Sequence, residues 1–164
     1  MGKIRLIVLG LGLGLGFFLG QIARRPLATA QNLSPTGLII KPSPHSVEET
    51  ERRFLQVLEA KGLNVFATVD HAKNAAGADL ELAPTRVVIF GNPKAGTPLM
   101  QCQQTLGIDL PQKLLIWQDD QGVHIAYNDP RYLGGRHRLG GCGARVIDNI
   151  SQALHGLTEQ TVSP

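Results

Sequence analysis

Downstream of Ser46 the apolar positions recur at intervals of three and four. Val47, Thr50, Phe54, Val57 and Leu58 share one face of a helix, while Glu48, Glu51, Arg52 and Lys61 lie mostly on the other. Ser46 followed three residues later by Glu49 forms a capping box, whose serine oxygen and carboxylate satisfy the unpaired amide donors of the first turn. Gly62 supplies the stop. Before this helix, residues 37–41 read as a strand ended by Pro42 and Pro44. After it, residues 64–69 are β-rich but alternate poorly, which predicts a strand partly buried on both faces. Asp70 and His71 follow, and residues 72–82 are small, polar and without a clear period.

Pro84 introduces the strongest strand pattern of the chain, residues 85–90, with Val87, Val88, Ile89 and Phe90 in succession. Gly91 opens a loop. Thr97-Pro98 predicts a short helix that Gly107 ends, because threonine caps well and proline is tolerated at the first helical position. Residues 113–118 and 123–127 form a hairpin around Asp119-Asp120-Gln121-Gly122. Ile147, Ile150, Leu154 and Leu157 mark a closing helix from about Ala144. The fold class is therefore α+β: an antiparallel sheet of about five strands packed by two helices, in the order βαββββα, with a short helix inserted after the third strand. This predicts one domain over residues 37–160, preceded by a polar linker at 31–36.

Residues 1–30 change the picture of charge and destination. Lys3 and Arg5 precede an uncharged apolar stretch, residues 6–20, and Ala28-Thr29-Ala30 offers a signal-peptidase site, so that the mature chain begins at Gln31. Arg24-Arg25, between stretch and site, leaves open a retained membrane anchor over residues 6–23. The expected location is a periplasm, a lumen or the exterior, with membrane contact only through an uncleaved leader. The overall charge of +3 belongs to this leader. It holds four basic residues and no acid, and the rest of the chain sets twelve basic residues against thirteen acidic ones. No basic field remains to attract a nucleic acid. Glycines 10, 12, 14, 16 and 20 lack the flanking strand, helix and acidic ribose ligand of a dinucleotide fingerprint.

Candidate chemistry is sparse. Gly91 and Gly96 are spaced as in a phosphate loop, but Thr97 stands where that loop needs lysine, and Pro93 removes an amide donor. A rigid loop or the rim of a ligand pocket are the readings that remain. His71, His124 and His137, with Met100, Cys102 and Cys142, are donors of the type that hold a transition metal or haem, yet no pair has the close spacing of a metal site. His124 reads as a sheet residue and Met100 as core, leaving His71 and His137 at element ends as the better candidates. Cys102 and Cys142, in a chain with an export leader, predict a disulfide. Asp109 and Asp129 are potential general bases or ligands, against which Asn128-Asp129-Pro130 also has the composition of a plain turn. No cofactor and no catalytic set is specified.

Asp70-His71, the run from Phe90 to Met100, Ile108-Asp109-Leu110-Pro111 and Tyr127-Asn128-Asp129-Pro130 together resemble the domain-of-unknown-function family 302 over about residues 38–157. The resemblance implies a TATA-box-binding-protein-like α+β fold without implying DNA binding, and a small domain able to form a homodimer whose biochemical role is not established. Carried onto this chain, it marks His71, Asn92, Pro93, Gly96, Thr97, Met100, Asp109, Asn128, Asp129 and Tyr132, with His137 as an addition. The cysteines stand outside the family pattern.

The leading expectation is an exported, non-catalytic binding domain. Its small ligand or protein partner would sit in one concave polar cleft where the 92–100 loop meets His71 and the Asn128-Asp129 turn. The alternatives are a metal- or haem-linked redox or sensor protein using His71, Met100 or His137, and a hydrolase-like enzyme with His71 and Asp129 as acid and base.

Overall fold

The computed structural model describes residues 36–164; the leader and most of the linker lie outside them. Five strands, β1 (Leu38–Ser43), β2 (Asn64–Asp70), β3 (Thr85–Gly91), β4 (Gln112–Asp119) and β5 (Gly122–Asn128), form one antiparallel sheet in the order β1-β5-β4-β3-β2. Two long helices, α1 (Val47–Ala60) and α5 (Ala144–Val162), cover one face. Three are shorter: α2 (His71–Ala76) and α3 (Pro93–Cys102) lie between strands, and α4 (Pro130–Arg136) lies between β5 and α5. A single 3-10 turn, Gln104–Ile108, follows α3.

Helix α1 forms where the periodicity placed it. The Ser46 hydroxyl accepts the Glu49 amide at 3.2 Å, but the Glu49 carboxylate turns away from the cap and takes Arg52 Nε at 2.7 Å. Only half of the capping box is therefore made. Phe54 and Leu58 are fully buried. Phe54 meets Phe90 of β3 edge to face at 5.0 Å, the arrangement that sets a positive ring edge against a negative face. Val88, Leu114, Ile116, Ile125 and Tyr127 point from the sheet into the same core, where Leu154 and Leu157 of α5 close it. The alternation Gln112, Leu114, Ile116 on β4 follows the period of two, so Gln112 shares the buried face with the leucine and isoleucine.

Several expectations need correction. Strand β2 is largely exposed rather than buried on both faces. It forms an edge of the sheet and carries a bulge between Val65 and Ala67, which leaves Phe66 53% exposed. Strand β1 runs through Pro42, which an edge strand with only β5 as neighbour tolerates. Helix α3 begins at Pro93 instead of Thr97, keeps Pro98 inside, and ends at Cys102 well before Gly107. Helices α2 and α4 were not expected from the pattern, because both are too short to show a period.

Helices α3 and α4, with the 3-10 turn and the start of α5, build a second, smaller core. Leu99, Leu106, Leu133, Leu139 and Ile147 are buried together beside the sheet end, with Met100, Leu110 and Tyr132 packed against them. The Cys102–Cys142 disulfide, Cα–Cα 5.9 Å, ties the end of α3 to the segment before α5.

Candidate functional site

The register fixes which site candidates can meet. Asn64 pairs with Gly91, Phe90 with Gln112, Leu115 with Ala126 and Leu38 with Asn128, so Asn92, Pro111 and Asp129 share one end of the sheet. Asp70 pairs with Arg86, at the opposite ends of β2 and β3. His71 is thus separated from Asn92 by the length of β3, roughly 20 Å at the usual rise per residue. The expected convergence of His71 with the loop and the Asn128-Asp129 turn does not occur. Nor do His71 and Asp129 form an acid–base pair, since they stand at opposite ends of the sheet and on strands that are not neighbours.

Two side chains that read as ligands, Asn92 and Asp129, are helix caps, and so is Asp70 beside His71. Asp70 Oδ1 accepts the Lys73 amide at 2.8 Å, Asn92 Oδ1 the Lys94 amide at 2.9 Å, and Asp129 Oδ1 the Arg131 amide at 2.9 Å. Asn92-Pro93 and Asp129-Pro130 place an acceptor at the cap and a proline at the first helical position, the same logic that pointed to Thr97-Pro98. Asp70 also receives Arg86 Nε at 3.2 Å. The Lys73 amide, followed by that guanidinium, holds its carboxyl below the ordinary range.

His137 and Asp109 meet away from the caps. His137 Nε2 lies 2.6 Å from Asp109 Oδ2, and His137 Nδ1 lies 3.0 Å from Thr105 Oγ1. A hydroxyl, an imidazole and a carboxylate in series is the order of a nucleophile with its base and orienting acid. His137 is only 8% exposed, however, and none of the three lines the apolar cavity beside α3. Their role here is to clasp the 3-10 turn to the end of α4. Among the described residues no group of three or more His, Cys, Asp or Glu side chains is placed to hold a metal ion. His71, Met100 and His137 fall in three separate places: the start of α2, the wall of α3 and the end of α4. His124, read as a sheet residue, stacks on Trp117 at 5.1 Å and bonds Asp119 at 3.1 Å.

The cavity itself, about 270 Å³, opens beneath the 92–100 segment. Asn92, Pro93, Gly96, Thr97 and Met100 form its wall from α3, as the expectation of a pocket rim required. Leu110 and the cis-bonded Pro111 form its floor with Gln112, Phe66 closes it from β2, and Ile150, Ala153, Leu154 and Leu157 face it from α5. The character of the site is apolar, where a polar cleft was expected. Its polar side chains are Asn92, Thr97 and Gln112, and no lining residue carries a charge. Asn128, Asp129 and Tyr132 lie outside the lining: Asn128 ends β5, Asp129 caps α4, and the Tyr132 ring packs over Gly37.

Gln112 is the site residue that the motif reading missed. It is 8% exposed, and its Oε1 has no hydrogen-bond partner among the described residues. The signal was present: a glutamine in phase with Leu114 and Ile116 on a strand whose other in-phase positions are core.

Comparison with known proteins agrees with the fold. The family model described as Domain of unknown function DUF302 matches residues 39–157. The chain is 47% identical over 106 residues, 64% of its length, to Fluoride-specific ion channel FluC 1 of Brucella suis biovar 1 (strain 1330), and shows the same identity to FluC 2 of Brucella melitensis biotype 1. It spans about two fifths of those proteins, 42% and 39% of their lengths. The crystal structure of an uncharacterized conserved DUF302 protein from Bacillus stearothermophilus superimposes with a TM-score of 0.69 at 17% identity, covering 76% of this chain and 98% of that one. Among the described residues no helix is long and apolar enough to cross a membrane. Matched over most of its described length, this chain belongs to the DUF302 family of domains of unknown function.

Proposed function

We propose that this domain is a receptor for a small, largely apolar molecule, held between α3, the Leu110-Pro111 turn and α5, and that it works in an oxidising compartment outside the cytoplasm. The observation that carries the first part is the apolar cavity under the family's most distinctive segment. Its volume equals the space of roughly nine water molecules, which such walls bond poorly and release readily to a ligand. The leader pattern and the Cys102–Cys142 bridge support the second part.

The test is binding of 2-naphthol, followed by its fluorescence, to the wild type and to Ala153→Trp. Ala153 lies on the cavity wall of α5 yet is exposed, so an indole there fills the mouth without disturbing the core. Saturable binding that drops about tenfold or more in the variant is the expected result, equal to a loss of about 1.4 kcal/mol. Unchanged affinity would place the probe elsewhere on the surface. Intact mass of protein purified from its own host tests export: a chain beginning at Gln31 and gaining mass on reduction is expected.

The Brucella relatives favour a second reading, in which the domain is the non-membrane module of an ion-channel system. The cavity lining holds no cation to offset the lost hydration of fluoride, which weighs against fluoride as its occupant. Sodium fluoride is expected to move the thermal midpoint no more than sodium chloride does, and a saturable fluoride-specific rise would favour the channel-linked reading.

A further inference from the structure

We infer that the occupant of this cavity is a neutral, ring-sized apolar molecule bearing one N–H or O–H donor, which it gives to Gln112 Oε1. The inference rests on the receptor reading above and adds to it the chemistry of the ligand. Three observations carry it. The lining presents carbon almost everywhere and no charged group, so an ionised ligand would lose its hydration with no counter-charge in return. Of the three polar side chains, Asn92 has its oxygen committed to the Lys94 amide at the helix cap, and Thr97 stands at the exposed rim. Gln112 alone is deeply buried, and its carbonyl oxygen has no partner among the described residues.

An amide oxygen held away from water without a donor is a standing cost that leucine or methionine at the same place would not impose. The pairing of Gln112 with Phe90 keeps its side chain on the helix-covered face of β4. A single ligand donor removes the cost, while the rest of the molecule fills the apolar space. A second donor would find no acceptor of its own among the buried lining groups.

The probes are indole, which has the donor, benzothiophene, which has the same shape without it, and isoquinoline, which offers an acceptor instead. Binding of each is measured by calorimetry to the full chain and to Gln112→Met. Wild type is expected to take indole about tenfold more tightly than either of the others, the effect of one buried hydrogen bond. In Gln112→Met the preference falls to near unity, with benzothiophene bound at least as well as before. Equal binding of indole and benzothiophene by wild type, preference for isoquinoline, or an indole preference that survives in Gln112→Met would overturn the donor assignment and leave the cavity a receptor. Binding of none of the three by wild type would instead overturn the receptor reading itself. Because the wild-type comparison needs no variant, the inference stays open to refutation even if Gln112→Met does not fold.

Discussion

His137 and Asp109, 28 residues apart in the chain, are joined through Nε2 and Oδ2 at 2.6 Å, with Arg136 Nη1 a further 3.3 Å from Oδ1 of the same carboxylate. The imidazole and carboxylate are both mostly removed from solvent, so the contact is worth more than a surface pair. It holds the turn after α3 against the end of α4 and thereby fixes Leu110-Pro111, the cavity floor. His137→Ala and Asp109→Asn are each expected to cost about 2 kcal/mol in urea unfolding. The double variant should cost clearly less than the sum, because the second change removes an interaction already lost.

Two glycines separate steric need from backbone need. Gly143, at φ +76°, opens α5, and a Cβ there would stand 2.7 Å from Leu99 Cδ2. Gly62, at φ +63°, has open space around the same position. Gly62→Ala should cost only the left-handed backbone strain, about 1–2 kcal/mol. Gly143→Ala should exceed it and lower the thermal midpoint further, since the second core must shift as well. Equal losses in the two variants would show that this core yields at no cost.

The Cys102–Cys142 bridge closes a loop of forty residues' separation that contains the 3-10 turn, β4, β5 and α4. On the chain-entropy account, its loss costs roughly 3 to 4 kcal/mol. Cys102→Ser with Cys142→Ser is expected to lower the urea midpoint accordingly, and the oxidised wild type should gain mass on reduction. A double variant as stable as the wild type would make the bridge dispensable for folding.

Stability should fall on the acid side. Glu49, Asp70, Asp119 and Glu159 all titrate below the ordinary carboxylate range, through hydrogen bonds from Arg52, the Lys73 amide, the Gln121 amide and Lys41 respectively. A group whose pKa is lower in the folded chain adds stability above its unfolded value and loses it as pH falls through the folded one. Burial pushes the Tyr127 phenol up, so its contribution is present below the unfolded value and is lost as pH rises through the folded one. The urea midpoint should be flat from about pH 5 to about pH 9 and decline on either side. Asp70→Asn should shallow the acid limb; an unchanged limb would show that Asp70 does not couple to folding.

What was legible in the sequence was whatever has a period or a local cap. Helix α1, helix α5, strand β3 and the β4–β5 hairpin each carry enough residues for the buried face to repeat, and their order in the chain was enough to place two helices over one antiparallel sheet. Asn92 and Asp129 were visible as unusual residues, but the motif reading gave them to a ligand when their oxygens, like that of Asp70, serve the first turns of short helices. The second core escaped because the seven residues of α4 and the ten of α3 are too few to reveal which side is covered.

Which residues share a site was settled by tertiary structure, because contacts between distant segments depend on register. Pairing Gly91 with Asn64 and Phe90 with Gln112 carried the 92–100 segment to the sheet end opposite His71, and set a glutamine beside Phe66 and α5. The polar character expected of the cleft followed from counting its conspicuous residues. The apolar character it has follows from which side chains line it: Asn92 spends its oxygen on a helix cap, Asn128, Asp129 and Tyr132 lie outside, and the remaining walls are carbon apart from Thr97 and Gln112, whose buried Oε1 has no partner among the described residues.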